Sequence, residues 1–153
     1  EPNPSNHAML KRNVGAMDNV TLLQVALAEE EGTAELYDYL MMSASGSLHY
    51  DETLRDVQLS TTSRDVDFAP RLDGTFEPRK YTVRTAPIDA LMRDLGIEQV
   101  DVVKMDIEGA EMGALRGMKE TIAKSPNLSL VMEYNPLGLK AFDNIPQEAL
   151  QEA

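Results

Sequence analysis

The sequence predicts an α/β fold with a mainly parallel sheet covered by helices on both faces, and three observations carry that reading. Beyond residue 80 the apolar pattern runs strand, helix, strand, helix, strand, the order of βαβ units. The strand runs are close to continuously apolar, as in strands buried on both faces. Acidic residues stand where strands end, at Glu1, at Asp106 with Glu108, and at Glu133. The carboxyl ends of parallel strands are where such sheets bind ligands.

Taken in order, the two prolines of Glu1-Pro2-Asn3-Pro4 hold the start of the chain extended, so a helix capped by Ser5 or Asn6 is expected to run to about Asn13. Residues 20–27, VTLLQVAL, read as a buried strand, residues 29–32 as a turn, and Thr33 to Leu40 as a second strand. From about 43 to 80 the pattern dissolves into Ser, Thr, Asp, Gly and Pro, with one short helix expected near Glu52–Val57. Tyr81 to Thr85 resumes as a strand. Pro87 fits the first turn of a helix whose apolar face is Ile88, Leu91, Met92 and Leu95, ended by Gly96. Val100 to Asp106 is the strongest strand pattern. Gly109 then opens a helix with Leu115, Met118 and Ile122 toward the core, stopped at Ser125-Pro126, and Leu128 to Tyr134 forms the last strand.

Composition narrows the function classes. The chain of 153 residues suits one domain with a real core. Its 26 acidic against 14 basic residues, a formal charge of -12, repel phosphate backbones, so nucleic acid is not an expected partner. No apolar run is long enough for a membrane helix, and no secretory leader is visible. With no cysteine there is no disulfide, thiolate metal site or cysteine nucleophile, in keeping with a cytoplasmic location. The residues 60–63 lack the glycines of a nucleophile elbow, which excludes a serine hydrolase of that type. His7 and His49 have no ligand-spaced partner, and the nine methionines read as core filler.

Carboxylates therefore carry the candidate chemistry. Glu1 at a strand end can accept hydrogen bonds from both hydroxyls of a ribose, with Pro2 and Asn3 edging an adenine ring. If the strand continued through Glu108, Asp106 and Glu108 would share a face with carboxylates roughly 6.5–7 Å apart. Such a pair takes a proton from a substrate hydroxyl, grips a divalent ion or binds a cation. Lys104 lies on the same face and can hold one of them ionised. Glu111, in the first turn of the next helix, reads as complementing the helix dipole. Glu133 can join the same pocket.

These residues in this order resemble the FkbM family of methyltransferases. The matching stretches are EPNP at 1–4, LKRN at 10–13, NVTLLQVALAEEEG at 19–32, SGSL at 45–48, VRTAPIDAL at 83–91, VDVVKMDIEGAEMGALRG at 100–117 and LVMEYNP at 130–136. The KMDIEGAE block is the most specific. The resemblance implies a Rossmann-like methyltransferase fold and transfer of the S-adenosylmethionine methyl group to a hydroxyl of a small metabolite such as a sugar or polyketide. It implies that Glu1 binds the cofactor ribose, that Ala26 and Leu27 wall the adenine, and that Asp106 lies beside the methionine moiety and the transferred methyl. Asp106 as base or organiser of the methyl site, with Glu108 and Glu133 as acceptor contacts, forms the expected catalytic set, with no metal assigned. The family carries a strand and glycine-rich turn ahead of its EPNP. The expectation is therefore a single, incomplete domain over 1–153 that by itself is inactive and binds the cofactor poorly. Two other classes remain open at this point: a metal-dependent, glycosyltransferase-like grip on a sugar nucleotide through Asp106 and Glu108, and a non-catalytic remnant. The sequence names neither the acceptor nor an oligomeric state.

Overall fold

The computed structural model describes residues 1–38, 46–50, 52, 78–142 and 144. Helix α1 spans Pro4–Val14. It is capped by Asn3, two residues before the earlier of the two expected caps, because Asn3 Oδ1 accepts the backbone N–H of Ser5 at 2.9 Å and of Asn6 at 3.5 Å. Pro4 fits the first helical position, where a missing N–H is no loss.

Three strands follow: β1 at Ala26–Leu27, β2 at Gly32–Asp38 and β3 at Arg79–Ala86. They form a mixed sheet in the order β1-β3-β2, with β1 parallel and β2 antiparallel to β3. The strand expected over 20–27 is thus paired only at its last two residues. Its parallel partner is the end of β3, with Ala26 opposite Thr85 and Leu27 opposite Ala86. β3 starts two residues earlier than the sequence suggests, at Arg79, because all seven residues of β2 pair with it, Asp38 opposite Arg79. The short helix expected near Glu52–Val57 lies outside the described residues apart from Glu52.

Helix α2, Ile88–Leu95, follows β3 directly. Pro87 stands before it as its cap residue, extended at φ -70° and ψ 146°, and Gly96 closes it in the left-handed conformation at φ 66°. Of the expected apolar face, Leu95 is turned to solvent at 41% exposure. Strand β4 spans Val102–Met105 and β5 spans Ser129–Met132, paired in parallel. The described strands thus fall into two small sheets, with two of the three pairings parallel.

Between β4 and β5 the expected single helix is two, α3 at Glu111–Arg116 and α4 at Lys119–Lys124. Close packing explains the break at Gly117. A Cβ built there would meet the Ala28 carbonyl oxygen at 2.4 Å and the Pro87 Cβ at 3.0 Å, so the chain runs too close to the β1 and β3 ends for any side chain. Gly117→Ala should therefore lower unfolding stability by about 1–3 kcal/mol in urea titrations. An unchanged midpoint would mean that this approach is not tight. The redirected α4 is held by Asp89 of α2, whose carboxylate accepts the Glu120 N–H at 3.0 Å, the Thr121 N–H at 2.8 Å and the Thr121 hydroxyl at 2.7 Å. The same redirection leaves Ile122 43% exposed, not in the core as its spacing suggested. The last helix, α5, spans Pro136–Ala141.

The larger core gathers Met105, Met112, Ala114, Leu115, Met118 and Leu139, with Leu27 and Ile107 against it; the smaller gathers Ala26, Leu36 and Val83. Met105, Met112 and Met118 are buried, as core-filling methionines are. Met9 and Met17 are half exposed instead. Both cores meet beneath the carboxyl ends of β1 and β4, because Ala26 belongs to one and its neighbour Leu27 packs on the other.

Candidate active site

Above that junction lies a cleft of about 280 Å³, near the lower end of small-molecule sites. One side is the start of the chain, Glu1, Pro2 and Asn3; the floor is Val25, Ala26 and Leu27, with Leu36; the far side is Asp106, Ile107, Glu108 and Ala110. Gly46 and Leu48 close it. The structure thus brings Glu1, Pro2, Asn3, Ala26, Leu27, Asp106 and Glu108 onto one cavity. Glu133 is exposed and is not among its lining residues.

The cleft's first side is rigid for a local reason. Glu1 Oε1 accepts the Asn3 backbone N–H at 2.9 Å, and Asn3 in turn caps α1. Asn3 is only 2% exposed, and its Nδ2 is buried with no hydrogen-bond partner among the described residues.

The far side differs from the expected strand. β4 stops at Met105, so Asp106 and Glu108 do not alternate along a strand face. Instead Glu108 takes φ 55° and Gly109 takes φ 100°, two successive left-handed residues that reverse the chain into α3. A left-handed non-glycine costs roughly 1–3 kcal/mol and persists only where its surroundings impose it. Here the Glu108 carbonyl accepts the Ser47 hydroxyl at 3.3 Å, and the Ile107 N–H donates to Glu111 Oε1 at 3.1 Å. Glu111 is fully buried, with its other oxygen unpartnered. It is therefore more than the helix-dipole complement that its position suggested: it braces the turn that aims Glu108.

The Glu133 N–H donates to the Met105 carbonyl at 3.0 Å, carrying the end of β5 alongside that of β4. Asp106, Glu108 and Glu133 consequently bring one carboxylate oxygen each to within 4.8 Å of one another. The crowding separates their acidities. Asp106 is held below the usual aspartate range by the Lys104 ammonium hydrogen-bonded to it, against the opposing effect of burial, with a further hydrogen bond from Glu133. Glu108 is pushed up, first by burial and then by the charges of Glu133, Asp106 and Glu111. Glu133 is pushed up by its hydrogen bond to Asp106, then by burial and by the neighbouring charges. Charge at this end of the cleft is thus concentrated on Asp106, while Glu108 and Glu133 hold protons more readily than ordinary glutamates. Such an arrangement can accept a proton, face a cation or ligate a metal ion.

Sequence reasoning missed Val25, Leu36, Gly46, Leu48, Ile107 and Ala110 as lining residues. The SGSL motif at 45–48 was the available signal for Gly46 and Leu48.

Comparison with known proteins points the same way. A family model described as "Methyltransferase FkbM domain" matches residues 1–151. The chain is 27% identical over 132 residues to 2-O-methyltransferase NoeI of Sinorhizobium fredii (strain NBRC 101917 / NGR234), covering 82% of this chain and 48% of that protein. It is 26% identical over 150 residues to methyltransferase sdnD of Sordaria araneosa, covering 92% of this chain and 58% of that one. With methyltransferase 1 of Beauveria bassiana (strain ARSEF 2860) the identity is 25% over 122 residues, covering 78% of this chain and 47% of that one. The chain thus spans about half the length of the curated relatives it matches. No solved structure gives a significant match. Among the described residues, no helix is long and apolar enough to cross a membrane.

Proposed function

The chain belongs to the FkbM methyltransferase family, and from that premise we propose that it transfers the methyl group of S-adenosylmethionine to a hydroxyl of a small-molecule acceptor, a sugar or polyketide being the expected class. The single observation that carries the reading is the shared cleft, which Glu1, Pro2, Asn3, Ala26 and Leu27 line together with Asp106 and Glu108. This reading takes the two small sheets as parts of one Rossmann-like sheet with its ligand at the strand ends. The relative whose name specifies a 2-O-methyltransferase supports oxygen as the acceptor atom. The cysteine-free sequence fits the cytoplasm, where the reading places the protein.

The residues present fit the cofactor. Glu1 offers acceptor oxygens for ribose hydroxyls, and Ala26 and Leu27 offer an apolar wall for a base. When bound, S-adenosylmethionine supplies an electrophilic methyl group on a positively charged sulfur. Asp106, kept ionised by Lys104, faces that charge and orients the reacting pair. Glu108, whose affinity for a proton is raised, takes the proton of the acceptor hydroxyl as its oxygen attacks. Alignment supplies at best about 7–11 kcal/mol of the barrier reduction, and a positioned base about 10²–10⁴-fold in rate.

Calorimetry on the complete protein tests the reading. S-Adenosylmethionine should bind, and Glu1→Gln should weaken it by about tenfold or more, the effect of losing a charge-assisted hydrogen bond. A second reading draws on the three converging carboxylates, which could hold a metal-bound sugar nucleotide. Binding of a sugar nucleotide that requires a divalent ion, with no response to S-adenosylmethionine, would replace the first reading with this one.

A further inference from the structure

The floor and the far side of the cleft follow strands of different sheets, and Ser47 is bonded to both. Its backbone pairs with β2: the Tyr37 N–H donates to the Ser47 carbonyl at 2.9 Å, and the Ser47 N–H to the Tyr37 carbonyl at 3.2 Å. Its side chain crosses to the turn after β4, where the hydroxyl donates to the Glu108 carbonyl at 3.3 Å. The direction of that bond is set locally. The same hydroxyl oxygen accepts the His49 N–H at 3.2 Å, which leaves its one proton for the carbonyl. Rings hold the segment on either flank, with Tyr50 5.3 Å from Tyr37 and His49 5.9 Å from Phe142 between ring centroids. Ser47 itself is buried, while its neighbours Gly46 and Leu48 line the cleft.

The carbonyl that Ser47 holds belongs to the peptide plane joining Glu108, at φ 55°, to Gly109, at φ 100°. A glycine takes either sign of φ at little cost, so the local sequence leaves this plane free to turn over. A donor from elsewhere in the chain can fix it, and the Ser47 hydroxyl is such a donor. For a residue with a Cβ, positive φ is allowed only over a narrow range of ψ. A rotated plane would therefore force Glu108 out of the left-handed region and re-aim its side chain, which reaches the cleft from this turn.

Building on the proposed function, we infer that Ser47 is a positioning residue for the base Glu108: its hydroxyl ties the turn that carries Glu108 to β2, and so fixes the base relative to the floor of the cleft. In this role Ser47 touches neither cofactor nor acceptor. A hydrogen bond of ordinary net strength shifts an equilibrium about two- to tenfold, which is the scale on which the turn should loosen without it.

Two substitutions in the complete protein test this, Ser47→Ala, which removes the hydroxyl, and Ser47→Thr, which keeps it. In Ser47→Ala, amide hydrogen exchange over residues 106–112 should quicken about two- to tenfold. At a fixed neutral pH the carbon-13 carboxyl signal of Glu108, assigned through Glu108→Gln, should move. That of Glu1, which lines the same cleft, should stay in place. Both readouts should return to wild type in Ser47→Thr. Calorimetry with S-adenosylhomocysteine should find the affinity of Ser47→Ala unchanged, because the hydroxyl acts on the turn and not on the ligand. An unmoved Glu108 signal with unchanged exchange in Ser47→Ala overturns the inference and leaves the proposed function standing. So does a shift shared by Glu1 and Glu108 with weakened binding, which would make Ser47 a general support of the cleft. A folded Ser47→Thr that behaves as Ser47→Ala also overturns it. If wild-type protein does not bind S-adenosylhomocysteine at all, the proposed function fails, and the positioning role falls with it.

Discussion

Glu108→Gln is expected to lower turnover by about 10²–10⁴-fold, with the dissociation constant for S-adenosylmethionine changed only a few-fold. Glutamine keeps the size and the polar contacts of the side chain but cannot take a proton. The carboxylate lines the cleft, and the left-handed turn that aims it is fixed by Ser47 on one side and Glu111 on the other. Burial and the Glu133, Asp106 and Glu111 charges raise its proton affinity, which moves a weak carboxylate base toward the range where general-base catalysis is efficient. The rate should therefore rise with pH along a limb lying above the ordinary glutamate range, and the limb should disappear in the variant. Equal turnover with the limb intact would remove Glu108 from the mechanism.

The same substitution carries a second signature, of opposite sign. A carboxyl group that binds its proton more tightly in the folded than in the unfolded state contributes stability below the ordinary glutamate range, and loses it as pH rises through the elevated value. At neutral pH the ionised Glu108 is thus a cost of the folded state, which glutamine does not bear. Thermal unfolding of Glu108→Gln at neutral pH should occur above wild type, and the gain should fade in acid. A variant that is both more stable and less active is what a strained functional carboxylate leaves behind, whereas a structural one would lose stability.

Much of this site is legible in the sequence, and what is not has definite physical causes. Strands β4 and β5 and helix α2 announce themselves through continuous apolar runs and helical spacing, and Gly96 ends its helix as a left-handed cap should. Expected strand ends put Glu1 and Asp106 toward one ligand-binding rim, and both residues line the cleft. The errors arise where a distant partner decides. Residues 20–25 have strand composition, but only Ala26 and Leu27 pair with β3. A helical pattern continues through Gly117, and only the approach of Ala28 and Pro87 breaks it. Asn3 takes the capping role from Ser5 and Asn6 because its side chain is buried and turned back along α1. The turn at Glu108 is the sharpest case: nothing in Asp-Ile-Glu-Gly marks Glu108 as left-handed, since the contacts that impose it come from Ser47 and Glu111.

Asp106→Asn should reduce turnover by about 10²–10³-fold, the scale of removing one preorganised electrostatic group, and it should do so without the pH signature of Glu108. The ammonium of Lys104, and a hydrogen bond from Glu133, keep Asp106 ionised, so it is a poor base and a good fixed charge. On the proposed function, its loss would remove the fixed negative charge assigned to face the cationic sulfur. It would also release Glu133, whose elevated proton affinity rests first on the hydrogen bond to Asp106. Carbon-13 NMR of the glutamate carboxyls should then show one group, assignable as Glu133 through Glu133→Gln, titrating at lower pH in Asp106→Asn than in wild type. Lys104→Met supplies the converse: Asp106 should titrate at higher pH, and turnover should fall at the acid end of the profile while recovering toward wild type as pH rises. Full activity in Asp106→Asn, or an unmoved Glu133 titration, would break the link between this cluster and the chemistry.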